Sequence, residues 1–254
     1  MKILVPMSGS DAAFREAGYP HGKSLIEING KALVQHVYEN LLSLRPQASD
    51  QFLFVIRKED HAQHHLSEVL ALLAPTCKVI ISEGATAGAA CTALLAVGHL
   101  ASDEELVISN GDQIIRHDLV QAVGSFRQAQ LDGGTIVFDS IHPSWSYVRV
   151  HEGLVTEAAE KRPISRCATA GFYYYRRGAD FVAAAMDMIR KAAHVNGVYY
   201  VCPTFNEMIL RQAKIGIFEI RPEQYYSLAT PQGVQRYEEL LARLNGSAYA
   251  HSAA

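Results

Sequence analysis

Short apolar runs alternate with longer segments of helical periodicity along the first half of the chain, and this alternation constrains the fold more than any other feature. A β-branched apolar run of about four to eight residues indicates a buried strand, and apolar residues spaced three and four apart indicate a helix. Their alternation is typical of an α/β protein in which helices cover both faces of a mixed, mainly parallel sheet. We predict strands at Lys2–Pro6, Phe52–Ile56, Val79–Ser82, Leu106–Ser109, Thr135–Phe138, Tyr147–Val150, Gly171–Tyr175 and Ile215–Ile220. We predict helices at Ala32–Leu44, Glu59–Leu73, Gly88–Leu100, Asp118–Leu131, Ala179–Ala193, Thr204–Gln212 and Gln232–Leu244.

The predicted strands crowd together after residue 140. This crowding favours antiparallel strands added to the same sheet over a second domain. A chain of 254 residues is long enough for one large domain with a substantial core. We therefore predict a single domain over residues 1–244, followed by a tail of small and polar residues, 245–254, that frays.

Charge and hydropathy bear on the class of partner and on the compartment. The 23 Lys and Arg residues nearly balance the 26 Asp and Glu residues, and no basic block is present, so we do not expect a nucleic acid partner. No apolar run approaches the ~20 residues that cross a bilayer, and the N-terminal apolar run is too short for a signal peptide. We expect a cytoplasmic protein without a membrane partner.

A loop of small residues follows the first predicted strand, at the edge of a sheet where ligands collect. Ser8, Gly9 and Ser10 would let backbone N–H groups approach phosphate oxygens, although one glycine among serines also suits an ordinary turn. Lys23 follows in the same connection, where its ammonium could neutralise phosphate charge. The segment is therefore a candidate phosphate site.

The fourth predicted strand ends in Asn110, Gly111 and Asp112. A carboxylate at the carboxyl end of a strand, beside a phosphate loop, suits Mg²⁺, which takes one or two carboxylates together with substrate phosphate oxygens. The alternative is an aspartate that only stabilises the following turn. Asp112 is the candidate metal ligand.

Three later fragments are candidates for lining a substrate pocket. Carboxylate and amide groups accept hydrogen bonds from hydroxyl groups, and a lysine can hold a phosphate as a point charge. Adjacent opposite charges more often lie on the surface, so spacing alone does not identify such a pocket. The fragments are Glu160-Lys161, Thr169-Ala170-Gly171 and Asn206-Glu207.

Taken in order, the motifs resemble those of one enzyme family. They are Val5-Pro6-Met7-Ser8-Gly9, Gly22-Lys23-Ser24-Leu25, Gly88-Ala89-Ala90, Asn110-Gly111-Asp112-Gln113, Trp145-Ser146-Tyr147, Glu160-Lys161, Ala170-Gly171-Phe172 and Phe205-Asn206-Glu207. The chain is similar over most of its length to the sugar-nucleotide pyrophosphorylase (nucleotidyltransferase) family, and in particular to its bacterial capsule-biosynthesis subgroup.

The resemblance implies a Rossmann-like glycosyltransferase-A fold. It also implies the reaction of a nucleoside triphosphate with a sugar 1-phosphate to give a nucleoside-diphosphate sugar and pyrophosphate, with Mg²⁺ gathering the phosphates. By position, Ser8, Gly9 and Ser10 would cradle the triphosphate, Lys23 would stabilise charge at the α-phosphate, and Gly88 would let the base approach the backbone. Substrate binding would also use Asn110 and Gly111, with Asp112 on the metal, while Glu160, Lys161, Gly171, Asn206 and Glu207 would hold the sugar phosphate. Family members are often dimers or tetramers, which implies a homo-oligomer.

Three positions depart from the pattern of the family. Asp11 replaces the second glycine of the loop, Ala13 replaces its catalytic arginine, and Ser227 replaces a second metal-binding aspartate. Loss of the arginine removes a permanently charged donor, and a carboxylate at position 11 would repel a triphosphate. A rearranged active site would use Arg15 in place of the arginine or Asp11 as the second metal ligand.

Other functions remain open on the sequence. The changes on the triphosphate side are compatible with a non-catalytic module that binds a sugar phosphate or a nucleotide. A glycosyltransferase that consumes a nucleoside-diphosphate sugar is disfavoured, because Lys23 and Glu160-Lys161 suit a free sugar phosphate. A choline-phosphate cytidylyltransferase would need an aromatic or acidic cage, for which Trp145, Tyr147 and Tyr173 are candidates.

Overall fold

A computed structural model describes residues 1–44 and 51–252. The strands are β1 (Lys2–Pro6), β2 (Glu27–Ile28), β3 (Lys31–Ala32), β4 (Gln51–Arg57), β5 (Lys78–Ser82), β6 (Leu106–Ser109), β7 (Gln113–Ile115), β8 (Gly133–Asp139), β9 (Ser146–His151), β10 (Leu154–Glu160), β11 (Cys167–Tyr175), β12 (Ile215–Ile220) and β13 (Tyr225–Ser227). The helices are α1 (Ala12–Glu16), α2 (Leu33–Leu41), α3 (Lys58–His64), α4 (Leu66–Leu73), α5 (Ala89–Leu94), α6 (Val97–Leu100), α7 (Leu119–Gln128), α8 (Gly178–Arg190), α9 (Thr204–Ile209) and α10 (Pro231–Ser252).

A nine-stranded sheet forms the centre of the described part of the chain, with the order β10-β9-β11-β6-β1-β4-β5 and with β8 between β11 and β12. Strand β1 is parallel to β4 and β6, and β4 is parallel to β5. The later strands β9, β10 and β11 pair antiparallel, as their crowding predicted. The predicted Rossmann-like α/β fold with a mainly parallel sheet is confirmed.

The core lies on both faces of this sheet because successive side chains of a strand point to opposite sides. In β1, Ile3 and Val5 belong to one apolar cluster and Leu4 to the other. In β4, Phe52 and Phe54 join the first cluster, and their rings stack with centroids 5.8 Å apart. A strand buried on both faces reads as a continuous apolar run, which is why these two strands stand out in the sequence.

Two predicted helices are each divided in the structure. The helix predicted at Glu59–Leu73 is interrupted at His65, whose left-handed φ of 52° ends α3 and precedes α4. The helix predicted at Gly88–Leu100 becomes α5 and α6. The apolar spacing resumes after one non-helical residue in the first case and after two in the second, so the sequence pattern alone predicts an unbroken helix.

Strand β10 and the short strands β7 and β13 were not predicted. At the end of the chain, α10 continues to Ser252, beyond the predicted end at Leu244, and residues 253–254 of the predicted tail lie outside the described residues. None of the helices in the described ranges is long and apolar enough to span a membrane. The carboxyl ends of β1, β4 and β6 share one edge of the sheet. Strand β11 pairs antiparallel with β6 at this edge, where Phe172 lies opposite Ser109.

Candidate active site

Two adjoining cavities open at this edge. The larger cavity, of about 490 Å³, lies between the loop after β1 and the start of α5. It brings together predicted residues from four separate segments of the chain. Its lining includes Ser8, Gly9, Ser10, Lys23, Gly88, Asn110, Gly111 and Asp112.

The smaller cavity, of about 210 Å³, lies among β9, β10, β11 and β13. Of the residues predicted to hold the sugar phosphate, Glu160, Lys161 and Gly171 line it. Asn110 and Asp112 line both cavities. A ligand that spans the two would therefore pass Asp112.

Lys23 and Asp112 form an ion pair where the cavities meet. Lys23 Nζ donates to Asp112 Oδ2 at 2.6 Å, and the two side chains are 14% and 22% exposed. Lys23 is placed by a 3-10 turn over residues 23–25, and Asp112 lies in the link between β6 and β7. The pair joins segments 89 residues apart.

Gly171 lets the loop that carries Asp112 approach β11. Its carbonyl accepts hydrogen bonds from the backbone N–H of Asn110 at 3.0 Å and from Gln113 Nε2 at 2.9 Å. Its φ is +60°, and a Cβ there would lie well inside 3.0 Å of the Asn110 and Gln113 side chains. The glycine therefore positions Asn110 by having no side chain.

Gly88 has a similar steric role at the start of α5. Its φ is +118°, and a Cβ would collide with the backbone of Tyr199. Ala87 O accepts from Tyr199 N at 2.7 Å, and Tyr199 O accepts from Ala90 N at 3.1 Å. The close approach holds Tyr200 beside both cavities.

Glu160 is a buried carboxyl group in the wall of the smaller cavity, with 8% of its surface exposed. It ends β10 and accepts a short hydrogen bond from Ser146 Oγ of β9. Burial raises the pKa of Glu160, because desolvation disfavours the charged form. The group is suited to accepting hydrogen bonds from the hydroxyl groups of a ligand.

Lys161 adds a cation to the same wall. Its Nζ lies 5.3 Å from the centroid of the Tyr200 ring, a cation–π distance. A hydrogen bond with Tyr200 raises the pKa of Lys161. The smaller cavity therefore presents a fixed positive charge next to the Glu160 carboxyl group.

Aromatic rings complete the smaller cavity. Trp145 packs edge-on against Tyr225 with centroids 5.5 Å apart, and Tyr225 stacks on Phe138 at 4.7 Å. Tyr173 shares a 3.0 Å hydrogen bond with Thr169. Tyr147, a candidate for an aromatic cage, is fully buried, and its hydroxyl donates to His142 O. Trp145, Tyr173 and Tyr225 line the cavity.

A Mg²⁺ ion fits the donor set around Asp112. Asp112 offers one partly exposed carboxylate, with the Asn110 amide and the Ser227 hydroxyl on the same cavity. Ser227 is next to this loop, because it pairs with Gln113 and Leu228 N donates to Asp112 O at 2.7 Å. In the described ranges, no cluster of three His, Cys, Asp or Glu side chains could hold a metal ion. The set suits an ion that completes its shell with substrate phosphates and water.

Neither predicted compensation for the altered loop has the expected geometry. The Arg15 side chain is 59% exposed, lies 3.2 Å from Asp11 and does not line the larger cavity. Asp11 is 3% exposed, and both its oxygens accept from Arg57, at 3.1 and 2.9 Å. These hydrogen bonds hold the pKa of Asp11 below its usual range. The carboxylate of Asp11 is therefore paired with Arg57, and Asp11 lines neither cavity.

Asn206 and Glu207 also differ from their predicted placement. Both ends of the Asn206 amide bond the Ala158 backbone of β10 at 2.8 Å. Glu207 is 6% exposed and pairs with Lys191 at 2.6 Å. The two residues line a separate depression with Glu160 and Lys161 rather than the smaller cavity. Through Ala158, Asn206 holds the strand that carries Glu160.

Sequence reasoning missed Arg57 and Tyr200. Arg57 is a charged residue at the end of the apolar strand β4, and this position is the sequence signal that could have identified it. Tyr200 lies between α8 and α9, where no motif pointed to it. Both become visible only through contacts made across the fold.

Several solved structures share this fold. The nucleoside-diphosphate-sugar pyrophosphorylase from Vibrio cholerae RC9 has a TM-score of 0.79 and 24% identity, over 93% of this chain and 99% of that chain. The inositol-1-phosphate CTP transferase from T. maritima has a TM-score of 0.74 and 15% identity, over 95% of this chain and 94% of that one. The UDP-glucose pyrophosphorylase from Acinetobacter baumanii has a TM-score of 0.68 and 13% identity, over 93% and 91%.

Comparison with curated protein sequences gives no significant match. The family model for nucleotidyl transferases matches residues 19–211, which is more than half of the 254 residues and includes Lys23, Asp112 and the strands β9, β10 and β11. The chain therefore belongs to the nucleotidyl transferase family.

Proposed function

We propose that the protein joins a nucleoside triphosphate to a sugar 1-phosphate, giving a nucleoside-diphosphate sugar and pyrophosphate. The observation that carries this proposal is the Lys23–Asp112 ion pair at the junction of the two cavities. The larger cavity has the volume and the small-residue loop for a nucleotide. The smaller cavity has the buried carboxyl group and the cation for a phosphorylated polyol.

In this reaction an oxygen of the sugar phosphate forms a bond to the α-phosphorus. The bond from that phosphorus to the bridging oxygen breaks, and pyrophosphate leaves with the electron pair. Such a transfer depends mainly on positioning and on neutralising charge. The two substrates would meet beside Lys23, whose ammonium stabilises charge on the α-phosphate.

We propose Mg²⁺ as the cofactor, held by Asp112 with substrate phosphate oxygens. The ion would supply neutralisation of the phosphate charge. With Mg²⁺ on Asp112, the ammonium of Lys23 would no longer be paired with that carboxylate. Lys23 would then contact the α-phosphate. Glu160 would accept sugar hydroxyl groups, and Lys161 would hold the sugar phosphate.

The proposal has finer parts that rest on the sequence resemblance. We propose that the product is used in the biosynthesis of a surface (capsule) polysaccharide. We also propose that the protein acts in the cytoplasm, where nucleoside triphosphates are made, and that it forms a homo-oligomer. Light scattering tests the assembly. Loss of surface polysaccharide after deletion of the gene tests the pathway.

The activity is tested by measuring pyrophosphate release from four nucleoside triphosphates against a panel of sugar 1-phosphates with Mg²⁺. We expect one pair of substrates to release pyrophosphate and the Asp112→Asn variant to lose the signal. Asp118→Asn is the matched control, because Asp118 caps α7 outside both cavities and asparagine caps a helix equally well. Release that survives Asp112→Asn would contradict the proposal.

A binding module is the second candidate, and one observation favours it. Lys23 is the one Lys or Arg among the described residues that line the larger cavity, since Ala13 replaces the arginine of the loop. A module would bind a sugar phosphate by calorimetry but release no pyrophosphate with any triphosphate. The same panel therefore separates the two functions.

A further inference from the structure

Arg57 lies at the carboxyl end of β4, between the two segments that frame the larger cavity. The first segment is the glycine loop, residues 7–11, and the second is the Lys23 segment, residues 19–25. The guanidinium donates to Asp11 at 3.1 and 2.9 Å and to Asp60 at 2.7 Å through both Nε and a terminal nitrogen. One side chain thus makes two bidentate contacts.

The bond to Asp11 fixes the glycine loop. Asp11 follows β1, and Arg57 ends the neighbouring parallel strand β4. Met7 N donates to Val55 O at 2.8 Å, which holds the start of the loop to the same strand. The loop is therefore held at both ends by β4, at position 7 through the backbone and at position 11 through Arg57.

The bond to Asp60 reaches the Lys23 segment. A Cβ added to Gly22 would lie 2.7 Å from Asp60 Oδ1 and 3.7 Å from a terminal nitrogen of Arg57. Gly22 O accepts from Leu25 N at 2.9 Å, so this glycine begins the turn that carries Lys23. The turn rests directly on the carboxylate that Arg57 orients.

The charges argue against a direct contact between Arg57 and phosphate. Four of the five N–H groups of its guanidinium already donate to carboxylates. Two buried carboxylates face this one cation, and Arg15 supplies a second cation 3.2 Å from Asp11. No positive charge is left over for a triphosphate, so the arrangement suits support of the loops rather than binding.

We propose that Arg57 is a positioning residue for the nucleotidyl transfer proposed above, on which this inference rests. Through Asp11 and Asp60 it sets the glycine loop and the Lys23 segment at a fixed separation. The network depends on Asp11, which stands where the family pattern has the second glycine of the loop. The affinity for the nucleoside triphosphate then depends on Arg57, and the affinity for the sugar phosphate does not.

A second arginine supplies a matched control. Arg177 precedes α8 as Arg57 precedes α3, and it makes the same two-bond contact with an aspartate three residues later, Asp180, at 2.9 and 2.6 Å. Its side chain is 52% exposed, whereas that of Arg57 is 18% exposed. Arg57→Lys and Arg177→Lys each keep the charge and lose the planar fork that makes bidentate bonds.

The first experiment compares steady-state constants for pyrophosphate release. We expect Arg57→Lys to raise the KM for the triphosphate about tenfold, with the KM for the sugar 1-phosphate changed by less than about twofold, because only the larger cavity shifts. Arg177→Lys should change neither constant. Any residue can adopt the backbone conformation of Gly22. Gly22→Ala should also raise the KM for the triphosphate, because the added Cβ displaces the Lys23 segment from Asp60. An equal rise in both constants, or no rise, overturns the proposal.

The second experiment does not need activity. Hydrogen–deuterium exchange should be faster in residues 7–11 and in residues 19–25 of Arg57→Lys, and unchanged there in Arg177→Lys. Faster exchange in only one segment, or in neither, overturns the proposed link. A wild-type protein that neither releases pyrophosphate nor binds any of ATP, GTP, CTP and UTP would contradict the proposed function, while the exchange data would still decide the role of Arg57.

Discussion

The two cavities are built from different kinds of groups. The larger cavity is lined mostly by small residues, together with Lys23 and Asp112. The smaller cavity is lined by larger side chains, among them Glu160, Lys161 and Trp145. Two of the three departures from the family pattern, Asp11 and Ala13, follow the residues Ser8, Gly9 and Ser10 that line the larger cavity, and Asp11 is turned onto Arg57. A cavity lined by small residues depends less on the identity of each side chain than a cavity lined by large and charged side chains.

The largest effect is expected from Lys23→Met, which removes the cation of the larger cavity and preserves the apolar stem. We expect kcat to fall by about 10²–10³, because a preorganised charge at the reacting phosphate is lost. The KM for the sugar 1-phosphate should change much less. Steady-state pyrophosphate release checks both constants.

Lys58→Met is the control for this variant. Lys58 also pairs with a carboxylate at 2.6 Å, that of Glu83, but the two side chains are 62% and 76% exposed and water screens them. The control should retain full activity. An Lys23→Met variant as active as the control would mean that the larger cavity does not carry the chemistry.

Gly171→Ala should damage both cavities by displacing Asn110, which lines both of them. The added Cβ meets the Asn110 and Gln113 side chains, and the φ of +60° strains any residue with a side chain. We expect a loss of about 3 kcal/mol in the free energy of unfolding. Urea denaturation measures it.

Gly153→Ala separates strain from collision. Gly153 has a φ of +79°, and a Cβ there meets nothing within 4 Å. This variant should lose only the ~1–2 kcal/mol of a left-handed backbone. Equal losses in the two variants would show that the contacts of Gly171 with Asn110 and Gln113 do not matter.

How far the sequence predicts the fold depends on what each strand contacts. Strand β1 was predicted with its bounds, because residues buried on both faces form an unbroken apolar run. Strand β10 was missed because Thr156 and Glu157 interrupt its apolar residues. Its strand character comes from pairing with β9, which a local pattern does not contain.

The candidate site divides in the same way. The sequence predicted Lys23 and Asp112 from their places beside predicted strands and Glu160 from the family resemblance, and the structure places all three at the cavities. Arg57 and the burial of Asp11 were not found, because their pairing spans 46 residues. Asn206 was given a direct role, although its amide is used by the backbone of β10. Spacing along the chain predicts which loops meet but not which side chains are already occupied.

Glu160→Gln tests the smaller cavity. The neutral amide is a weaker acceptor than a carboxylate, so the KM for the sugar 1-phosphate should rise about tenfold while the KM for the triphosphate stays constant. Tyr147→Phe, which removes a hydroxyl outside the cavity, is the control. A rise in the KM for the triphosphate alone would contradict the division between the cavities.

The same variant has a signature in pH. Burial raises the pKa of Glu160 above its ordinary 4.5, so the folded protein keeps this proton to higher pH than the unfolded chain does. The contribution of Glu160 to stability is therefore full below pH 4.5 and declines as the pH rises through the folded pKa. Glutamine does not titrate, so urea denaturation should show Glu160→Gln gaining stability relative to wild type as the pH rises from 4.5 through the folded pKa of Glu160. A constant difference would contradict the raised pKa.

The smallest effect is expected from Ser227→Asp, which restores a second carboxylate beside Asp112. Ser227 lines the smaller cavity with Asp112, and Leu228 bonds the Asp112 backbone, so the new side chain would lie near the proposed metal. Two carboxylates bind Mg²⁺ more tightly than one. The Mg²⁺ concentration for half-maximal activity should fall a few-fold, about 1 kcal/mol in binding. Ser144→Asp adds the same charge to the same cavity and serves as the control. An equal response to both substitutions would mean that general charge, rather than a ligand at position 227, attracts the ion.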